Sequence, residues 1–555
     1  MRDKTFNPDK NSEEESSDSF LAAADINDDD LNILSDENSI NGDQFPARPR
    51  SPSRSPARSP GSNDGDTWTD MDDNPPNIPF SGNPKINIQV SDTDKPYDYF
   101  KKFFTDEIME VVVRETNRRG QKMFDSSKTR SKRVKKWVDV TAVELEKFLA
   151  LCSLSGTVQF PILARQWSKD PLYFHPIFGK TMSRNRFTTI LKNLRFVDHE
   201  TVDKSERLYK IKPIIDIVLH NLKTLLSPEK QLSIDESMLH WRGRLKFKQY
   251  ISNKRHKYGI KFYVLTTSDG YVLNFIIYTG KGTLNGENEK GHAFSVVNQL
   301  MADYLDKGHE LYVDNFYNSV ALAEYLIKKN TYIIGTLKEN RKGNPKELLK
   351  KKLKKGEAAF KRKGPVLVVN WKDKRNVRMI STKHRHAMVE NTNKRGNKKI
   401  KPQCILDYNR YMSGIDKSDQ MMSYYSTPRK TIRWYRKIFF HLFDICLWNS
   451  FYAYKKIKQL PKVRLLKFRE EVLRQMLKIS HLDNTDIGQD TKNKSFHYLQ
   501  PAPATEKEKS AMKRCRQCTK EKQNRKTRYF CPICPENPGL CVYPCFKNWH
   551  ETQDV

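Results

Sequence analysis

The order of apolar and polar positions divides the chain into stretches of different character. Up to about residue 90, Ser, Asp, Asn and Pro dominate and large apolar residues are scarce, so a disordered segment is expected. From Tyr97 onward aromatic and aliphatic residues crowd together at Tyr99, Phe100, Phe103, Phe104, Ile108 and Val111–Val113. Helical spacing recurs at Leu145, Leu149 and Cys152, and again at Phe187, Ile190, Leu191 and Leu194, where Ser183 is placed as an N-cap. Near residue 231 the pattern turns strand-like. Ile260–Thr266 and Tyr271–Tyr278 flank a Ser-Asp-Gly turn and read as a hairpin. A strand ending at Asp314, a helix over roughly 316–329 and a strand at Tyr332–Leu337 follow, which together predict an α/β layer with a mixed sheet. Residues 338–402 are rich in Lys and Arg and hold two more β-like runs, Val366–Trp371 and Val377–Thr382. Helical spacing returns at Trp434, Ile438, Leu442 and Ile445, then at Leu465, Phe468, Val472, Met476 and Ile479.

Charge changes this picture most. The 555 residues carry 100 Lys+Arg against 66 Asp+Glu, a net +34. Residues 1–45 hold 13 acidic and 3 basic side chains, so this segment is −10 and the remainder +44. A body that basic implies a polyanionic partner, most simply nucleic acid. No stretch approaches the roughly 20 apolar residues that cross a bilayer, and none follows the first methionine as a signal peptide would, so an intracellular protein with no membrane partner is expected. A GxxxxGK[ST] loop is absent, which argues against a nucleotide cofactor. The basic Ser-Pro repeat at 49–60 reads as a solvated linker or a phosphorylation target.

Three aspartates have distinctive settings: Asp235 in Leu-Ser-Ile-Asp-Glu-Ser, Asp314 in Leu-Tyr-Val-Asp-Asn-Phe, and Asp416 in Gly-Ile-Asp-Lys-Ser-Asp. The first two follow short apolar runs, which places each carboxylate at the end of a buried strand. Carboxylates gathered there need a cation, because like charges a few ångströms apart raise each other's pKa. A pair of divalent ions would meet that need and can cut phosphodiesters. Taken singly, an Asp after an apolar strand is more often a turn residue or helix cap than a ligand; three such sites in a basic α/β protein shift that balance. Just beyond Asp235 runs a dense basic stretch, Arg242, Arg244, Lys246, Lys248, Lys254, Arg255, Lys257 and Lys261, read as a phosphate track past the metals rather than a solvated hairpin face. Lys338 and Arg341 are further candidates for DNA contact.

Six of the nine cysteines lie in the last 41 residues, which fits metal binding in a reducing compartment better than disulfides; Cys152, Cys404 and Cys446 read as core residues. Cys515-x2-Cys518, Cys531-x2-Cys534, Cys541-x3-Cys545 and His550 supply seven ligands for one or two tetrahedral Zn2+ ions, one short of the eight that two ions need. Lys513, Arg514, Arg516, Lys520, Lys522, Arg525, Lys526 and Arg528 lie between the first pairs, which favours DNA contact over a histone-tail reader or a ubiquitin ligase.

Ser-Ile-Asp-Glu-Ser-Met, Trp-Arg-Gly-Arg-Leu-Lys-Phe-Lys-Gln-Tyr-Ile, Lys-Tyr-Gly-Ile-Lys-Phe-Tyr (257–263), Tyr-Val-Asp-Asn-Phe-Tyr (312–317) and Tyr-Met-Ser-Gly-Ile-Asp-Lys-Ser-Asp-Gln (411–420) occur in this order. Together they resemble the piggyBac family of DNA transposases from about residue 95 to the C-terminus. The resemblance implies an RNase H-like catalytic core in which Asp235, Asp314 and Asp416 bind Mg2+ or Mn2+, with Asp419 matching a further family aspartate. Trp434 matches an aromatic position near the hairpin end of the DNA, although its periodicity alone reads as core. The implied layout is an acidic tail (1–93), a helical dimerisation and DNA-binding domain in two parts (94–230 and 426–481), a catalytic domain in two parts (231–337 and 403–425) around a basic insertion (338–402), a linker (482–512) and a cysteine-rich zinc domain (513–555) resembling a cross-brace finger. It also implies a homodimer on double-stranded DNA in the nucleus, nicking inverted-repeat ends, forming hairpins and joining at TTAA without a scar. The rival expectation is a domesticated, transposase-derived chromatin protein that binds DNA without cutting it.

Overall fold

A computed structural model describes residues 67–126, 137–251, 257–284, 290–392, 396, 398–427, 431, 433–479, 497–503 and 511–551. The chain forms two compact units, Met1–Ile479 and Ser480–Val555. No helix among the described residues is long and apolar enough to cross a membrane.

The larger unit begins with a short pairing of β1 (Lys85–Ile86) with β2 (Leu226–Ser227). Its main sheet contains β3 (Gln231–His240), β4 (Gln249–Tyr250), β5 (Tyr258–Thr267), β6 (Val272–Ile277), β7 (Glu310–Val313), β8 (Tyr332–Thr336), β9 (Ala358–Lys363), β10 (Val366–Lys372) and β11 (Asn376–Ser381). The spatial order β6-β5-β3-β7-β8 has β5 antiparallel to both β3 and β6, whereas β3, β7 and β8 are parallel. This is the RNase H-like arrangement. Every residue of β6 and β7 is buried, so apart from Asn274 and Glu310 these strands are apolar with no alternation. The expected hairpin forms between β5 and β6, and its Ser-Asp-Gly turn needs glycine because Gly270 has φ +95°.

The two helical blocks assemble into one body. Pro96–Phe103 packs on the long helix Trp434–Ile457 and on Leu465–Leu477, and Lys212–Thr224 packs on both the long helix and β6. Edge-on contacts of Phe100 and Phe104 with Phe443 form the seam. Trp434–Ile457 is buried around most of its circumference, so its apolar residues form no single stripe. Trp448 Nε1 donates to Gly270 O at 2.6 Å and Asn449 brackets Val272, which fastens the helical body to the turn of the catalytic hairpin. Ser183 caps Arg184–Asn193 as its sequence predicts. Cys152, Cys404 and Cys446 are buried.

Three expectations change. The helix over 316–329 starts later, at Val320, because Asp314–Asn318 form a turn and Ser319 is the cap. The basic segment 338–402 contributes β9–β11, which continue the catalytic sheet through antiparallel pairing of β11 with β8, whereas β12 (Met388–Thr392) and β13 (Lys398–Pro402) pair with each other as a separate two-stranded ribbon. Disorder does not extend to residue 93. Thr69 pairs with Arg362, Trp68 Nε1 donates to Gly343 O, and the Ile78 amide bonds the Tyr332 hydroxyl. Apolar content along 67–93 is low, but backbone bonds and a buried ion pair hold it.

That ion pair makes a prediction. Arg362 is 1% exposed and its Nη2 lies 2.9 Å from Asp72 Oδ1, while Asp72 Oδ2 accepts from the His386 amide at 2.9 Å. Removing one partner strands a buried charge. Asp72→Ala is therefore expected to destabilise by about 2–4 kcal/mol, discounted from the fully buried case because Asp72 keeps some exposure. Equal denaturant midpoints for Asp72→Ala and the intact chain would contradict this account of the segment. The acidic residues 1–45 and the Ser-Pro repeat lie outside the described residues.

Candidate catalytic and zinc sites

The strand register brings two of the expected aspartates together. Ile234 on β3 is the last residue paired with β7, opposite Val313, so Asp235 and Asp314 are the next residues on two adjacent parallel strands. Only one strand ends there. β3 runs on to His240 against β5, with Asp235 opposite Val264, so Asp235 lies within a strand and not at its end as its sequence suggested. It is the parallel partner that stops, opening a notch beside the carboxylate. Asn318 Nδ2 donates to Thr336 O at 2.8 Å and to Val313 O at 3.3 Å, and Arg341 donates to Phe316 O, so the turn after Asp314 is held from two sides. Arg341 thus braces the site, a role its sequence context did not suggest.

Oxygen atoms of Asp235, Glu236 and Asp314 lie within 4.8 Å of one another, and all three side chains are half-buried. Burial raises the Asp314 pKa, the Phe316 amide at 2.8 Å opposes that shift, and the Glu236 charge adds to it. The set is all carboxylate oxygen, the donor chemistry of Mg2+ and Mn2+, so these residues fit such an ion. Glu236 was not expected, because alternation along a strand points it away from Asp235; the Asp-Glu pair in the sequence is its only signal.

Asp416 stands outside that group. The helix Gly414–Tyr424 packs on β3 and β5 at Gly414, where a Cβ would come within 2.3 Å of Thr267 O. Docked this way, the helix buries Ile415 and Ser418, leaves Asp416 exposed on its first turn, and sets Asp419 against β3, where Asp419 Oδ1 accepts from Ser237 Oγ at 2.7 Å. All three aspartates nonetheless act on one tyrosine. Burial pushes the Tyr408 hydroxyl up to about 12, Thr336 opposes this, and the charges of Asp314, Asp235 and Asp416 add to the rise.

Of the expected phosphate contacts, Arg242, Arg244, Lys257 and Lys338 are exposed. Lys254 and Arg255 lie outside the described residues. Lys261 is drawn inward to Glu236. Trp434 is half-buried, edge-on to Phe247 with centroids 5.4 Å apart, so it packs on the loop that carries Arg242 and Arg244.

In the smaller unit two four-residue groups interleave along the chain: Cys515, Cys518, Cys541 and Cys545, and His497, Cys531, Cys534 and His550. His497, whose Nδ1 lies 3.3 Å from both Cys531 and Cys534 Sγ, completes the second group and brings the candidate ligands to eight. The stretch 482–512 is therefore not purely a linker. In the sequence His497 stands 18 positions before Cys515, without the close spacing that marks the other pairs. The first set offers four sulfur atoms and the second two sulfur atoms with two imidazole nitrogens, and both suit tetrahedral zinc. Arg514, Arg516, Thr519, Lys520 and Trp549 line a shallow depression on this unit, with Lys520 Nζ 4.3 Å from the Trp549 ring centre.

Comparison with known proteins agrees with this geometry. A family model described as Transposase IS4 matches residues 95–451, and one described as a DDE_Tnp_1-like zinc finger matches 497–551. The human PiggyBac transposable element-derived protein 3 is 26% identical over 392 residues, a match covering 68% of this chain and 64% of that protein. The human PiggyBac transposable element-derived protein 2 is 27% identical over 444 residues, covering 76% and 72%. A cryo-EM structure of a piggyBac transposase synaptic complex with hairpin DNA superposes with a TM-score of 0.64 at 24% identity, over 84% of this chain and 99% of that one. At that identity the likeness concerns the fold.

Proposed function

Because the chain belongs to the piggyBac-type transposase family, we propose that it is a cut-and-paste DNA transposase that nicks transposon ends, closes hairpins on them and joins them at TTAA. The observation that carries this reading is the register of β3 and β7, which sets Asp235 and Asp314 side by side at a notch in the sheet. Divalent magnesium or manganese ions bound there would activate the attacking oxygen and stabilise the leaving one. Asp235 and Asp314 would hold such ions from adjacent strands, and Asp416, exposed on the first turn of the helix docked on β3, would supply a third carboxylate by turning toward them. Ser237 orients Asp419 beside them. Arg242, Arg244, Lys257 and Lys338 line the approach for phosphates, positioning DNA without reading its sequence. Trp434, packed on the same loop, orients the hairpin end. The zinc module reads the terminal repeats through its basic face. A homodimer working in the nucleus completes the proposal.

The rival is a DNA-binding protein that has lost cleavage, favoured by human relatives named as transposable element-derived. An excision assay decides between them. A donor plasmid carrying the inverted repeats that flank the coding sequence should be restored to an intact TTAA by the wild type. Binding of those ends with no excision would support the rival.

A further inference from the structure

Lys261 belongs to the basic run expected to track phosphates, yet it does not face open solvent. Its side chain is 11% exposed and Nζ lies 3.0 Å from Glu236 Oε1, itself on a side chain 13% exposed. The ammonium also sits 4.4 Å from the Tyr263 ring centre and 4.9 Å from that of Phe316. Across the β3–β5 ladder Tyr263 is directly opposite Glu236, and Lys261 is the next residue on the same face. A carboxylate and two aromatic faces thus fix this cation beside the oxygen group of Asp235, Glu236 and Asp314. Three carboxylates against one ammonium leave a formal charge that a single divalent ion would balance. Any further ion must compete with Lys261 for Glu236.

We propose that Glu236 is an additional ligand of the divalent-ion centre and that Lys261 is its resident counter-cation, which sets how tightly the centre takes divalent ions before DNA arrives. This rests on reading the carboxylates as a metal site. Lys261 is a positioning residue here, and its role separates from plain structural pairing by the sign of one effect. A structural ion pair, once broken, loosens the site and weakens ion binding; a competing cation, once removed, tightens it.

Manganese is the probe. Zinc-loaded full-length protein, without DNA, is titrated with Mn2+ while the free-ion electron paramagnetic resonance signal is followed. Lys261→Met should bind Mn2+ about three- to tenfold tighter than wild type, and Glu236→Gln at least about threefold weaker. Lys261→Arg keeps the charge and should stay within about twofold of wild type, which separates charge from packing against the two rings. Thermal unfolding of each variant identifies any that fails to fold, and Lys261→Gln then replaces Lys261→Met. Unchanged or weaker binding after loss of the Lys261 charge overturns the inference, as does wild-type affinity in Glu236→Gln. If wild type binds Mn2+ and Asp235→Asn does not, the metal site stands whatever the Lys261 variants show. A wild type that binds none refutes the site and the inference together.

Discussion

Asp235→Asn and Asp314→Asn are each expected to lower the rate of end nicking by at least 10²–10³-fold, on the order seen when one preorganised charge-stabilising group is lost, with end binding changed less than about threefold. The asymmetry follows from where the charges lie. Both substitutions keep side-chain volume in a half-buried notch, and neither touches Arg242, Arg244, Lys257 or Lys338, which face solvent. Phosphate contacts dominate affinity and its salt dependence, so those should persist. The Phe316 amide bond to Asp314 can pass to the amide oxygen of Asn, so the turn after β7 should hold. Single-turnover nicking in Mg2+ beside gel-shift titration of the same DNA measures both quantities. Loss of binding in parallel with nicking would mean that these residues support the fold or the DNA path instead of the reacting centre.

The second large effect concerns zinc. His497→Ala is expected to reduce bound zinc from two ions to one per chain and to weaken end binding about tenfold or more, with a shallower dependence on salt. Apparent zinc-binding free energies of about 10–16 kcal/mol fold small domains of this kind outright. The buried core of the unit supports that view, since it consists of five cysteines, Leu540 and Trp549, with little else apolar. Losing the group that holds Cys531, Cys534 and His550 should therefore release Trp549, next to His550, from the basic depression it lines with Arg514, Arg516 and Lys520, while Cys515, Cys518, Cys541 and Cys545 keep the other ion. The catalytic unit has its own core and should keep its thermal transition. Metal analysis by mass spectrometry and salt-dependent binding test this. Two zinc ions retained in His497→Ala would remove it from the ligand set.

Much of this was legible in the chain because it rests on local chemistry. Period-2 and period-3.6 patterns located the hairpin of Ile260–Thr266 and Tyr271–Tyr278, the strand into Asp314 and the helices around Trp434 and Leu465. Close cysteine spacing announced the zinc module. What stayed hidden depends on distant partners. Nothing near Asp72 marks it as the mate of Arg362, 290 residues on, and nothing near His497 marks it as the mate of Cys531. The continuation of β3 past Asp235 is set by its pairing with β5 and not by its own composition. Strand alternation points Glu236 away from Asp235, whereas long side chains at the edge of a notch can still converge. Asp416 shows the reverse case, a motif residue whose helix docks through Gly414 in a way that leaves its carboxylate exposed.

The central claim is that carboxylates at the β3–β7 notch cut DNA with divalent ions. Its most direct test incubates purified protein with linear DNA carrying the inverted repeats that flank its coding sequence, in Mg2+, and maps the strand breaks by sequencing gel. The account predicts breaks at the repeat–TTAA junctions that vanish with chelator and in Asp235→Asn. Stable binding of the same ends without a break in either Mg2+ or Mn2+ would contradict it.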